Sequence, residues 1–182
     1  MPPLLTPLQD RLRRRLPRGF VLTVVILLLV AGAGFRLRAA KFGAVNRALD
    51  EQFHYTPESA RTFLATIGDE GRTLYVRTLL SLDLVFPVLF ATLLAIPLAR
   101  LYPRAGPRLL WLPVGIVLAD WGENGLLASI ASDPNAASDA RIVAASLLTK
   151  LKWSLIATAG VAILVGFRRR ARDRSAATSG PA

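Results

Sequence analysis

Residues 109–131 read LLWLPVGIVLADWGENGLLASIA, an apolar run broken near its centre by Asp120, Glu123 and Asn124. At 1.5 Å per residue such a helix is about 35 Å long, enough to cross about 30 Å of hydrocarbon. A charged side chain at mid-span costs about 2.5–3.5 kcal/mol on insertion scales, so its presence asks for a partner or a function. Positions 120, 123 and 124 are spaced i, i+3, i+4, which sets both carboxylates and the amide on one helical face, continued by Ile116 and Leu127. The opposite face carries Gly115, Ala119 and Gly122, small residues that let a second helix approach closely.

Working outward, residues 79–98 (LLSLDLVFPVLFATLLAIPL) and 142–167 (IVAASLLTKLKWSLIATAGVAILVGF) are of the same kind. An N-terminal run over 19–35 is shorter, and its basic flank and small-residue end also fit a secretory signal peptide cleaved after Ala33. An uncleaved anchor is the preferred reading, because Arg18 and Arg36 can snorkel from its two ends. The 182 residues are 53% hydrophobic, and the formal charge of +11 sits in clusters such as RLRRRLPR (11–18) and RRRARDR (168–174) at the ends of apolar runs. That placement marks a membrane protein and argues against nucleic acid as a partner. With no cysteine and one histidine, thiol chemistry, disulfides and His- or Cys-built metal sites are excluded, and no motif calls for a metal or a cofactor.

The fold expected is therefore all-α: an integral membrane four-helix bundle with spans at 19–35, 79–98, 109–131 and 142–167. A basic tail over 1–18 precedes it, and a basic, disordered tail over 168–182 follows. Thirteen arginines fall in the two tails and the 100–108 loop, against eight basic residues in the other two connections. The positive-inside rule then puts both termini in the cytoplasm of a multi-pass cell-membrane protein, although Arg36, Arg38 and Lys41 argue against it. The long outer connection shows helical periodicity twice. Phe42, Val45, Leu49 and Phe53 suggest an amphipathic helix over 40–53. Thr56 as N-cap with Pro57 at the first position starts another over 57–67, ended by Gly68. One or two extracytoplasmic amphipathic helices result, lying on lipid or capping the bundle as a lid. Pro87, Pro97 and Pro113 each remove a helical hydrogen bond and open room for cavities.

The candidate functional cluster collects the ionisable groups of the spans and their neighbours: Asp83, Asp120, Trp121, Glu123, Asn124, Lys150 and Lys152. By helical rise, Asp120 lies about 16 Å from the inner end of its span and Lys152 about 15 Å deep, whereas Lys150 at about 12 Å leans toward the interface. The two lysines project about 200° apart, so one of them, Lys152, is the better partner for the carboxylates. Asp83 shares its side with Phe86, Pro87 and Phe90. Trp121 and Trp153 each adjoin a charged position, where they either pack or meet a cation. His54 reads as a solvent-facing loop residue.

A purely structural ion pair of Asp120 and Glu123 with Lys152, bridged by Asn124, would lock helices in register. Two carboxylates per lysine leave negative charge over, which points to a bound proton, a cation or a cationic group of a substrate. Carboxylates this close also share protons unevenly, which suits acid–base or relay work.

YTPESARTFLATIGDEGRTLY (55–75), LDLVFP (82–87), DWGEN (120–124) and LKW (151–153) together resemble a family of small bacterial four-span integral membrane proteins of no assigned function. The resemblance covers residues 55–153. It implies that Asp83, Asp120, Glu123, Asn124 and Lys152 belong to one connected set, and it brings no substrate.

Three readings follow for function. One is a membrane protein whose acidic cluster binds a small molecule, lipid or cation, with transport calling for a homodimer. Another is a membrane enzyme using Asp120 or Glu123 as acid or base on a lipid or isoprenoid-like substrate. The third is an assembly subunit whose cluster is glue.

Overall fold

A computed structural model describes residues 4–14, 16–42 and 47–178, without the side chains of 106, 136 and 176–178. Among these residues every regular element is helical: α1 (Thr6–Arg13), α2 (Arg18–Lys41), α3 (Pro57–Leu79), α4 (Leu82–Leu101), α5 (Gly106–Leu109), α6 (Trp111–Ser132) and α7 (Asp139–Thr178), with 3₁₀ turns at Leu49–Glu51 and Pro134–Ala136. Three helical stretches among the described residues are long and apolar enough to cross a membrane: Arg18–Lys41, Pro57–Leu101 and Asp139–Ser175. Helix α6 is not one of them. It has the length, but Asp120, Glu123 and Asn124 offset its apolar residues.

Helices α6 and α7 pack as the central pair. Glycine makes this possible, since a Cβ on Gly115 would stand 3.0 Å from Leu155 Cδ1 and one on Gly122 would stand 3.1 Å from Leu148 Cδ1. Helix α4 lies against both of them, and α2 leans on α4 from the side. Helix α3 packs across α6 at one end of the pair.

Two sequence expectations need correction. The helix expected over 40–53 is absent from its described part. Phe42 closes α2, residues 43–46, with Val45, lie outside the described residues, and Leu49–Glu51 form a 3₁₀ turn flanked by extended Ala48 and Gln52. The turn wins because it presents both carboxylates of Asp50 and Glu51 to Arg38, whereas the expected stripe would have buried Phe53, which is 61% exposed. The C-terminal tail is helical through Thr178 rather than disordered. Its RRRARDR run consists mostly of good helix formers and extends an existing helix, so it needs no new nucleus. The N-terminal tail also holds structure, for α1 docks on α4 through Leu12, and Gln9 Nε2 donates to the carbonyls of Tyr102 (3.2 Å) and Pro103 (3.1 Å).

Helix α3 starts as its sequence demands. Thr56 Oγ1 accepts from the Ser59 N–H (3.2 Å) while Ser59 Oγ accepts from the Thr56 N–H (2.9 Å), a reciprocal capping box with Pro57 at the first helical position. The chain kinks at Gly68, whose φ of 63° and ψ of −174° suit glycine alone. Ahead of the kink, Ala60, Phe63 and Leu64 pack with Leu127 and Ile130 of α6 and Ile142 of α7, so the segment caps the end of the central pair. Phe42, Phe63 and Tyr75 meet edge to face with centroids 5.3–6.0 Å apart, each contact contributing about 0.5–1.5 kcal/mol beyond area burial. Arg61 pairs with Asp139 and ties this cap to the start of α7.

Candidate functional site

The face of α6 that carries Asp120, Glu123 and Asn124 turns inward, and all three side chains are buried. Helix α7 brings Ser146, Thr149 and Lys152 to them at successive i, i+3 positions, and these are buried too. Lys152 Nζ lies 2.9 Å from Asp120 Oδ1 and 2.7 Å from Glu123 Oε2, and it donates to the Asp50 carbonyl at 3.2 Å. The other Glu123 oxygen accepts from Thr149 Oγ1 at 2.6 Å. Glu123 Oε2 itself meets Lys152 as an ion contact without an aligned hydrogen bond.

Asn124 answers a defect written into α4. Pro87 has no N–H, so the carbonyl of Asp83, four residues earlier, loses its helical donor. Asn124 Nδ2 supplies one at 3.0 Å and also donates to Asp120 Oδ2 at 3.0 Å. One side chain thereby repairs the proline helix and orients a carboxylate, although its own Oδ1 is buried without a partner among the described residues.

A second buried charge cluster adjoins the first. Arg38, near the end of α2, reaches Asp50 Oδ2 at 3.3 Å and Glu51 Oε1 at 2.7 Å, and Tyr75 OH donates to Asp50 Oδ1 at 2.8 Å. Among the described residues the guanidinium Nε and Nη1 have no hydrogen-bond acceptor. Their surroundings are the rings of Phe35, Phe42 and Tyr75, with centroids 5.1–5.6 Å from the guanidinium carbon. The two clusters are joined through Asp50, whose carboxylate faces Arg38 and whose carbonyl faces Lys152. Tyr55, next to Thr149 at 3.4 Å, is held above the usual phenol range by burial and stays a neutral hydroxyl.

Beside these clusters lies a cleft of about 420 Å³. Its polar end is formed by Asp50, Glu51, Asp83, Asp120 and Lys152, and its walls by Phe86, Pro87 and Phe90 of α4, Phe35 of α2, Ile116 of α6, and Trp153 and Ile156 of α7. Phe35 meets Phe86 edge to face at 5.3 Å, and Phe86 stacks on Phe90 at 6.2 Å. Asp83 is 6% exposed, yet among the described residues its carboxylate has no hydrogen bond or ion pair and opens on the cleft. Its place in the first turn of α4, at the positive end of the helix dipole, favours its charge, as do Lys152 and Arg38 at longer range. Four buried carboxylates (Asp50, Asp83, Asp120, Glu123) thus face two buried cations (Arg38, Lys152) among the described residues.

Of the residues singled out from the sequence, Asp83, Asp120, Glu123, Asn124 and Lys152 come together here. Lys150 does not, being half-buried on another side of α7. Trp121 also points elsewhere: its Nε1 donates to the Leu84 carbonyl at 3.0 Å and its ring lines a separate groove with Leu8 and Leu12 of α1. His54 is exposed and meets Ser146 Oγ at 3.0 Å through Nδ1. Sequence reasoning missed Arg38, Asp50, Tyr75 and Thr149. Thr149 was findable as the i−3 neighbour of Lys152, and Arg38 as a basic residue on the wrong side of the positive-inside count. Asp50 carried no such signal, because a turn rather than a helix delivers it. No cluster of three or more His, Cys, Asp or Glu able to hold a metal ion occurs among the described residues. No family model, curated protein or solved structure matches the chain.

Proposed function

We propose that this chain is a multi-pass membrane protein whose cleft between α2, α4 and α7 binds a small molecule or lipid, with α6 as a fourth span completing the bundle. The observation that carries this reading is Asp83: a carboxylate buried beside an apolar cleft, without a hydrogen bond or ion pair among the described residues, costs stability that a structural role would not require. A volume near 420 Å³ falls within the range of small-molecule sites, and mostly apolar walls with a few convergent polar groups are their usual make-up. The charge left over after Arg38 and Lys152 are counted supports ligand binding over glue.

In this reading both termini are cytoplasmic and the α3 cap faces outward. The four-span resemblance seen in the sequence is consistent with the arrangement. Helix α2, exposed along Leu22, Ile26, Leu29 and Val30, offers a face to lipid or to a second copy.

The test is native mass spectrometry of protein released from lipid nanodiscs, comparing wild type with Ile156→Trp, which fills the cleft, and with Leu164→Trp, which lies on an exposed face. A discrete bound mass present in wild type and Leu164→Trp and lost in Ile156→Trp is the expected result. The same mass retained in Ile156→Trp would remove the cleft from the function.

A further inference from the structure

Resting on the reading of the cleft as a ligand site, we infer that its ligand is an amphipathic organic cation that reaches the site sideways from the bilayer. Charge and oxygen supply at the polar end decide the class. Asp50 and Glu51 are held by Arg38, Asp50 also by Tyr75, and Asp120 by Lys152 and Asn124, so among the described residues of the cleft Asp83 is the carboxylate left to a newcomer. A hard divalent cation takes six or more oxygens, and one free carboxylate falls far short. An anion would meet four carboxylates, Asp50, Glu51, Asp83 and Asp120. A single ammonium or guanidinium group fits, because it needs one counter-charge and accepts aromatic faces as the rest of its shell.

The walls decide the remainder of the molecule. Phe35, Phe86, Phe90, Trp153 and Ile156 give a surface that holds an alkyl or aromatic tail, and 420 Å³ is about fourteen times the share of one liquid water. A small hydrated amine would leave most of that surface unfilled.

The packing decides the route. Helices α2 and α7 both pack on α4, and the cleft lies over α4 between them, with Phe35 on one side and Trp153 and Ile156 on the other. Both flanking helices belong to stretches apolar enough to span the membrane, so the mouth between them faces lipid tails rather than water. Access through lipid selects molecules that partition into the bilayer with the charged group near the interface. Asp83, in the first turn of α4, stands at the end of the apolar run where such a head group resides.

The experiment uses decyltrimethylammonium and decanol as probes of equal chain length, added to the full chain in zwitterionic nanodiscs and read by native mass spectrometry against empty discs. Wild type is expected to hold one decyltrimethylammonium at least about tenfold more tightly than Asp83→Asn, a loss of the size that removing one member of a close charge pair produces. Asp83→Glu should restore binding, and decanol should bind the two proteins within about twofold. The thermal midpoint of Asp83→Asn, expected at or above that of wild type, guards against a folding defect. Equal binding of the two probes, unchanged by Asp83→Asn but abolished by Ile156→Trp, would overturn the cationic class and leave the cleft standing. No bound probe and no co-purified mass sensitive to Ile156→Trp would overturn both.

Discussion

Replacing Lys152 with methionine keeps the length and apolar stem of the side chain and removes its charge. In the folded protein this strands Asp120 and Glu123, which now lie 2.9 and 2.7 Å from the ammonium, and leaves the Asp50 carbonyl without its donor. The lysine side chain is 7% exposed, so neither salt nor water screens the loss. Three magnitudes compete. An exposed ion pair contributes about 0–1 kcal/mol, and interhelical polar contacts in membranes average about 0.6 kcal/mol because the unfolded helices find other partners in the bilayer. Breaking a buried pair by removing one member costs about 3–5 kcal/mol. Two carboxylates lose their counter-charge at once here, so the last figure applies, and Lys152→Met should shift the folding equilibrium by about 100-fold or more. Helix content followed through SDS titration in mixed micelles measures it. Adding Glu123→Gln to Lys152→Met should recover part of the loss, since one stranded charge disappears with it. A single variant within about 1 kcal/mol of wild type, or a double variant no better than the single, would refute the claim that these charges are desolvated and mutually dependent.

Other consequences follow from named contacts. Asn124→Leu should cost about 1–2 kcal/mol by orphaning the Asp83 carbonyl, and Pro87→Ala, which restores a backbone N–H, should shrink that cost in a double-mutant cycle of thermal midpoints. Gly122→Val should destabilise by about 1–3 kcal/mol through Leu148, with Leu148→Ala rescuing it; additive effects of the two substitutions would deny the close α6–α7 approach. Gly68→Ala should cost about 1–3 kcal/mol from backbone conformation alone, because a Cβ there meets nothing within 4 Å, and Gly19→Ala, equally open but helical, should not. The chain has no cysteine, so single cysteines at Glu58 and Arg172 report orientation directly: in spheroplasts a membrane-impermeant maleimide should label the first and spare the second.

Much of this arrangement was legible in the sequence for a simple physical reason. Periodicity reports which side chains share a helical face, so Asp120, Glu123 and Asn124 were grouped correctly, and the 200° separation of Lys150 from Lys152 picked the lysine that pairs. Thr56 and Pro57 announced the start of α3, and Gly68, read as the end of that helix, is where it kinks and then runs on to Leu79. What periodicity cannot report is contact between segments joined by a turn. Asp50 reaches both Arg38 and Lys152 from a 3₁₀ turn, and its neighbours Leu49 and Phe53 had suggested a helix with the wrong residue buried. Trp121 shows the same limit in reverse: it adjoins Asp120 in sequence, yet at 100° around the helix it faces a different groove. The role of Asn124 lay in the sequence as well, at Pro87, but needed the fold to show which side chain would serve the orphaned carbonyl.

In the proposed reading the carboxylate to alter first is Asp83. Asp120 and Glu123 are committed to Lys152, so altering them tests stability as much as binding, whereas Asp83 is uncommitted and faces the cleft. The most direct measurement is therefore native mass spectrometry of the full chain released from nanodiscs of its host membrane, wild type against Asp83→Asn. A discrete bound mass present in wild type and lost in a variant that folds at least as stably is the predicted result. An identical bound mass in both proteins, or none in either, would contradict the claim that the unpartnered carboxylate holds a ligand.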